Sequence, residues 1–102
     1  MVDVLNDKLQ SIAEVCSRLG VIRLDVFGSA LRDDFRPGDS DIDLLVEFRA
    51  LSPHELVDAY FDLREELRSI LDAEVDLVMS DAVKNRYIAA DIERTKQVLY
   101  AA

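Results

Sequence analysis

The chain has 102 residues, half of them hydrophobic, with 21 acidic against 12 basic side chains and a formal net charge of −9. That length suits one domain with a real core and is too short for two, and the acidity argues against direct nucleic-acid binding, because phosphate contacts need a basic surface. Cations or a basic partner fit the charge better. No apolar run approaches the roughly 20 residues of a membrane span, and Met1-Val2-Asp3-Val4 lacks the basic and apolar regions of a signal peptide, so a cytoplasmic protein with no membrane contact is expected.

From Asp3 to Leu19, apolar residues recur at Leu5, Leu9, Ile12, Cys16 and Leu19, and Gly20 follows as a stop signal. The spacing predicts an amphipathic helix with Cys16 as a small core residue. As the single cysteine, Cys16 excludes an intrachain disulfide and a thiolate metal cluster. Val21 to Phe27 alternates, with Ile22, Leu24 and Val26 against Arg23, Asp25 and Phe27, and reads as a strand running into Gly28-Ser29.

Residues 30 to 40 are charged and contain the turn signal Pro37-Gly38, with room for a short helix near Ala30 to Asp34 before it. Asp41 to Phe48 reads as a second strand, Ile42, Leu44, Val46 and Phe48 on one face and Asp41, Asp43, Leu45 and Glu47 on the other. Ser52-Pro53-His54-Glu55 has the form of a capping box, opening a helix that should end near Leu71. His54, the single histidine, falls in its first turn as an exposed residue and excludes a multi-histidine metal centre. Glu74 to Met79 is a third strand, with Glu74, Asp76 and Val78 sharing one face. Ser80-Asp81 caps a segment with Val83, Tyr87, Ile88 and Ile92 at mostly helical spacing, ending in Gln97-Val98-Leu99-Tyr100. One or two helices and a short final strand are expected, giving an α/β chain of the α+β kind: a small mixed sheet packed with helices.

Asp41 and Asp43 stand out, because side chains two apart in a strand point to the same face and like charges side by side repel. Asp76 would join them if its strand lies beside theirs. Carboxylate oxygens are hard ligands suited to Mg²⁺ or Mn²⁺, which take further oxygens from water and phosphate. The Gly28-Ser29 turn complements them. Glycine lets the backbone approach a phosphate, amides and the serine hydroxyl can donate to it, and Arg32 offers planar cationic donors. Each feature also has a plain structural explanation: a turn, a solvated strand end, an exposed arginine, an edge-strand aspartate.

Taken in order, Gly28-Ser29, Asp41-x-Asp43 and Asp76 resemble the signature of the DNA polymerase β-like nucleotidyltransferase superfamily. Within it, the run from Phe27 to Arg32, then Ser40 to Phe48, Val75 to Val78 and the closing Val98-Leu99-Tyr100, is similar to the minimal nucleotidyltransferases (MNT). The resemblance implies a polymerase β-like fold in which Gly28 and Ser29, with Arg32, hold the triphosphate of ATP. It implies that Asp41, Asp43 and Asp76 are the catalytic carboxylates and the ligands of Mg²⁺ or Mn²⁺. It further implies an antitoxin that transfers AMP from ATP to a tyrosine of a HEPN ribonuclease toxin. Two positions depart from the family pattern. Eleven residues rather than ten separate Ser29 from Asp41, an insertion that costs little loop entropy, and Asp33 stands where glycine is usual. A non-catalytic antitoxin that acts by binding alone, and nucleotidyl transfer to a small molecule, are the alternatives.

Overall fold

The computed structural model describes residues 7–28, 41–82 and 84–102. Helix α1 covers Leu9–Leu19 and ends as its sequence requires. Gly20 sits at φ +81°, and its amide donates to the Cys16 carbonyl, the left-handed cap that glycine adopts without steric cost. The part of this predicted helix before Asp7 lies outside the described residues, as do the Ala30–Asp34 helix and the Pro37-Gly38 turn.

Strand β1 (Val21–Phe27) lies between two antiparallel partners, β2 (Ile42–Phe48) and β4 (Gln97–Ala101). β2 then pairs in parallel with β3 (Val75–Met79), giving the order β3-β2-β1-β4. A parallel pair needs a long crossover, and helix α2 (Pro53–Leu71) supplies it. Its capping box forms as expected: Ser52 Oγ accepts from the Glu55 amide at 3.2 Å, and Glu55 Oε1 accepts from the Ser52 amide at 3.3 Å. Tyr60 on α2 donates its hydroxyl to the Leu77 carbonyl at 2.6 Å, tying the crossover helix to β3. Arg68 adds a bond to Glu74 at 2.9 Å, just ahead of that strand.

The core lies between one face of the sheet and helices α1 and α2. Leu24 and Val26 of β1, Ile42, Leu44 and Val46 of β2, and Val75 and Leu77 of β3 meet Ile12 and Cys16 of α1 and Leu63, Leu67 and Leu71 of α2. Two irregularities adjust this packing. A register shift at Ile22 in the β1–β2 pair leaves that side chain exposed, and a shift in the β1–β4 pair leaves Leu99 as an extra residue between Val98 and Tyr100. An extra residue of this kind bends a strand and re-aims its side chains, which lets Leu99 and Tyr100 both join the core while Val98 pairs with Asp25.

The C-terminal third differs from the reading at one point. Ser80 to Ala82 form a short 3₁₀ turn, and the helix that follows, α3 (Arg86–Thr95), is capped by Asn85. The Asn85 side chain accepts from the amides of Tyr87 and Ile88 at 2.9 and 3.2 Å, the bonds an N-cap residue makes. Val83 lies outside the described residues. On α2, Val57 keeps the helical period yet is exposed, as is Phe61 one turn on, whose ring meets Tyr60 edge to face at 5.3 Å. Among the described residues no helix is long and apolar enough to cross a membrane.

Candidate functional site

Because Ile42, Leu44, Val75 and Leu77 face the core, the intervening side chains of β2 and β3 face the other way. Asp43 and Asp76 are register partners across the parallel pair, and Phe27 of β1 is the partner of Asp43 on its other side. The two aspartates of different strands are therefore neighbours on the sheet face away from the core. Asp41 directly precedes β2, and the Ile42 amide bonds to the Glu74 carbonyl at 2.9 Å, carrying the β2–β3 pairing to that end.

Gly28 closes the same end of the sheet. Its φ is +69°, and a Cβ built there would lie 2.3 Å from Asp43 Oδ2. The residue is thus bound to glycine twice, by a left-handed backbone and by the carboxylate seated against its Cα. Gly28, Asp43 and Asp76 are brought together, with Asp41 at the same end of β2. Ser29 and Arg32, assigned to phosphate, lie outside the described residues, as does the loop that carries Asp33. Among the described residues, no three His, Cys, Asp or Glu side chains gather closely enough to hold a metal ion by themselves.

The same face carries a second charged group, which the sequence motifs do not single out. Asp25 is 2% exposed, and Arg23 Nε donates to both of its carboxylate oxygens at 3.1 Å. Lys96, at the C-terminal end of α3, brings its ammonium to 3.4 Å from Asp25 Oδ2 and donates to Glu93 Oε1 at 2.6 Å. That hydrogen bond, with the charge of Lys96 behind it, holds the Glu93 carboxyl below its ordinary range. Asp25 and Arg23 share one face of β1, as strand alternation predicts. Nothing local signalled that Lys96, far along the chain, would bury the aspartate.

The nucleotidyltransferase domain family model matches residues 9–99, nearly the whole chain. The chain belongs to the nucleotidyltransferase domain family. A Methanocaldococcus jannaschii protein, provisionally named a protein adenylyltransferase, is 43% identical over 68 residues. This nucleotidyltransferase domain spans 65% of that relative's length, and the match takes in 67% of its own. A solved structure provisionally described as a minimal nucleotidyltransferase is 27% identical, with a TM-score of 0.69 over 93% of this chain and 92% of the other. Two further structures share the fold. One, a toxin–antitoxin with AMP-PNP, is 22% identical with a TM-score of 0.67, over 92% of this chain and 73% of that one. The other, a tri-AMPylated Shewanella oneidensis HEPN toxin in complex with MNT antitoxin, is 20% identical with a TM-score of 0.62, over 96% and 73%. The α+β reading and the minimal-nucleotidyltransferase resemblance are thereby borne out.

Proposed function

We propose that the chain is a Mg²⁺-dependent nucleotidyltransferase that moves AMP from ATP to a tyrosine hydroxyl of a HEPN ribonuclease toxin, and is that toxin's antitoxin. The observation that carries the reading is the pairing of Asp43 with Asp76 beside Gly28 on the non-core face. Family membership supports the reaction class, and the named adenylyltransferase relative and the MNT–HEPN neighbours support the acceptor and partner.

Hard carboxylate donors fit the cation this chemistry needs, since Mg²⁺ is commonly held by one or two carboxylates with waters and substrate phosphates completing its shell. Asp41, Asp43 and Asp76 would be the ligands. When bound, the cation would neutralise the phosphates and polarise the phosphoryl oxygens. The backbone at Gly28, the Ser29 hydroxyl and Arg32 would hold the triphosphate, which keeps the α-phosphorus in line with the acceptor. The acceptor oxygen bonds to the α-phosphorus, the bond from that phosphorus to the bridging oxygen breaks, and pyrophosphate leaves. The hydroxyl proton passes to the Asp76 carboxylate and on to solvent.

Incubating the chain with ATP labelled at the α-phosphate, Mg²⁺ and a HEPN toxin encoded beside it tests the reading. Label on a toxin tyrosine and loss of ribonuclease activity are expected; a folded complex that acquires no label would overturn it. Neutralisation by binding alone is the competing reading, favoured by the net charge of −9, which would speed docking on a basic partner. Full protection by a variant carrying Asp41→Ala and Asp43→Ala would decide for it.

A further inference from the structure

The buried charges around Asp25 have no part in the transfer step, yet they stand on the face that carries it. Asp25 is the register partner of Leu45, and Leu45 lies two residues along β2 from Asp43. Two strand residues advance the chain by about 7 Å. Over this patch α3 lays Ala89, Ile92 and Glu93, followed by Lys96, and a cavity of about 250 Å³ remains between helix and sheet. Its floor is Leu45 and Asp25, both buried, and exposed Glu47 stands at its rim.

The size and lining restrict what enters. The volume is below the ~300–1,000 Å³ of pockets that take drug-sized ligands, so it holds one ring system rather than a whole nucleotide. Leu45, Ala89 and Ile92 supply apolar contact for the flat faces of a ring. Lys96 is 10% exposed and therefore desolvated; an ammonium has three donors, enough to serve Glu93, Asp25 and one ligand acceptor. The carboxylates of Glu47 and Glu93 can accept from an amine. The carboxylates of Asp25, Glu47 and Glu93 outnumber the cations Arg23 and Lys96 in the lining, which disfavours a bare phosphate chain.

We infer that this cavity is the nucleobase subsite, taking a flat base with ring-nitrogen acceptors and an exocyclic amine. The inference rests on the transfer reading above: with the α-phosphate at Asp43, the ribose spans the interval along β2 and delivers the base over Leu45. Lys96 donates to a ring nitrogen, and a carboxylate at the rim accepts from the amine.

Calorimetric titration of the full chain in Mg²⁺ with ATP and, separately, with inorganic tripolyphosphate tests it. Ala89→Trp fills the cavity from α3, and Lys96→Met removes the donor; Ala89→Met is the milder filler should the tryptophan prevent folding. The wild-type chain is expected to bind ATP at least about tenfold more tightly than tripolyphosphate. Folded variants should lose about that factor for ATP and bind tripolyphosphate within twofold of wild type. Variants that bind ATP as tightly as wild type overturn the inference and leave the transfer reading standing. So does loss of both ligands by variants with unchanged circular dichroism, because the effect is then not on the base. A wild-type chain that binds neither ligand overturns the transfer reading, and the subsite with it.

Discussion

Gly28→Ala separates the two demands placed on that position. Moving a residue with a Cβ to φ +69° costs about 1–2 kcal/mol. The new methyl would also stand 2.3 Å from Asp43 Oδ2 and 3.2 Å from its Cγ, so the carboxylate must turn away. Displacing it brings the expected total to about 2–3 kcal/mol, and at roughly 4–8 °C per kcal/mol for a domain of this size the Tm should fall by about 8–24 °C. Thermal unfolding measured in wild-type and Asp43→Ala backgrounds isolates the second part, because Asp43→Ala removes the crowded carboxylate and leaves the backbone strain. Gly28→Ala should cost about 1 kcal/mol less in the Asp43→Ala background, a coupling of the size neighbouring residues show. Equal losses in both backgrounds, or an unchanged Tm, would refute the claim that Asp43 is seated on Gly28.

Ser52→Ala should destabilise the chain to denaturant by about 1 kcal/mol through loss of the α2 cap. The Ser52 hydroxyl and backbone amide hold the Glu55 carboxyl below its ordinary value, so its stabilising effect is present above the unfolded carboxylate range and lost as pH falls through the folded value. Denaturation midpoints measured against pH should therefore have a shallower acid limb in Ser52→Ala; superimposable curves would contradict this. Asp25→Ala leaves Lys96 desolvated but still bonded to Glu93, and Arg23 is half-exposed, so the expected loss is about 2–3 kcal/mol, below the 3–5 for breaking a fully buried pair. A loss under about 0.5 kcal/mol, ordinary for a surface substitution, would show the cluster to be neutral. Burial pushes the Cys16 thiol up to about 12, so its contribution to stability is complete below the unfolded thiol value near ~8.5 and declines as pH rises toward the folded one. Cys16→Ala should flatten that alkaline decline, and a thiol reagent should label the wild-type chain only as fast as it opens.

Much of the architecture is written in local signals. Gly20 stops α1, the Ser52–Glu55 box starts α2, and period-two alternation marks β1, β2 and β3, because each depends on residues within one or two turns of each other. The convergence of Asp43 and Asp76 could be stated from the sequence only as conditional on strand adjacency. The parallel β2–β3 pairing meets that condition. Asp25 was legible as a non-core-face residue and illegible as a buried one, since its burial depends on α3 and on Lys96. Ser80-Asp81, strong cap residues, open only a 3₁₀ turn, and the α-helix of this segment starts at Asn85, an equally strong cap that the apolar spacing does not single out. Val57 shows a further limit: it keeps the helical period of α2 yet is exposed, because the period identifies an apolar stripe but not how far the sheet reaches beneath it.

Transfer of α-phosphate label from ATP to a HEPN toxin, compared among the wild-type chain, Asp43→Asn and Asp76→Asn, tests the central claim most directly. Both substitutions remove a charge from neighbouring register positions while keeping shape. The account expects labelled toxin with the wild-type chain and at least about a hundredfold slower labelling with either variant, Asp76→Asn through loss of a positioned base and Asp43→Asn through loss of a cation ligand, while each variant still forms the complex. Labelling at the wild-type rate by Asp76→Asn, or by Asp43→Asn, would contradict it.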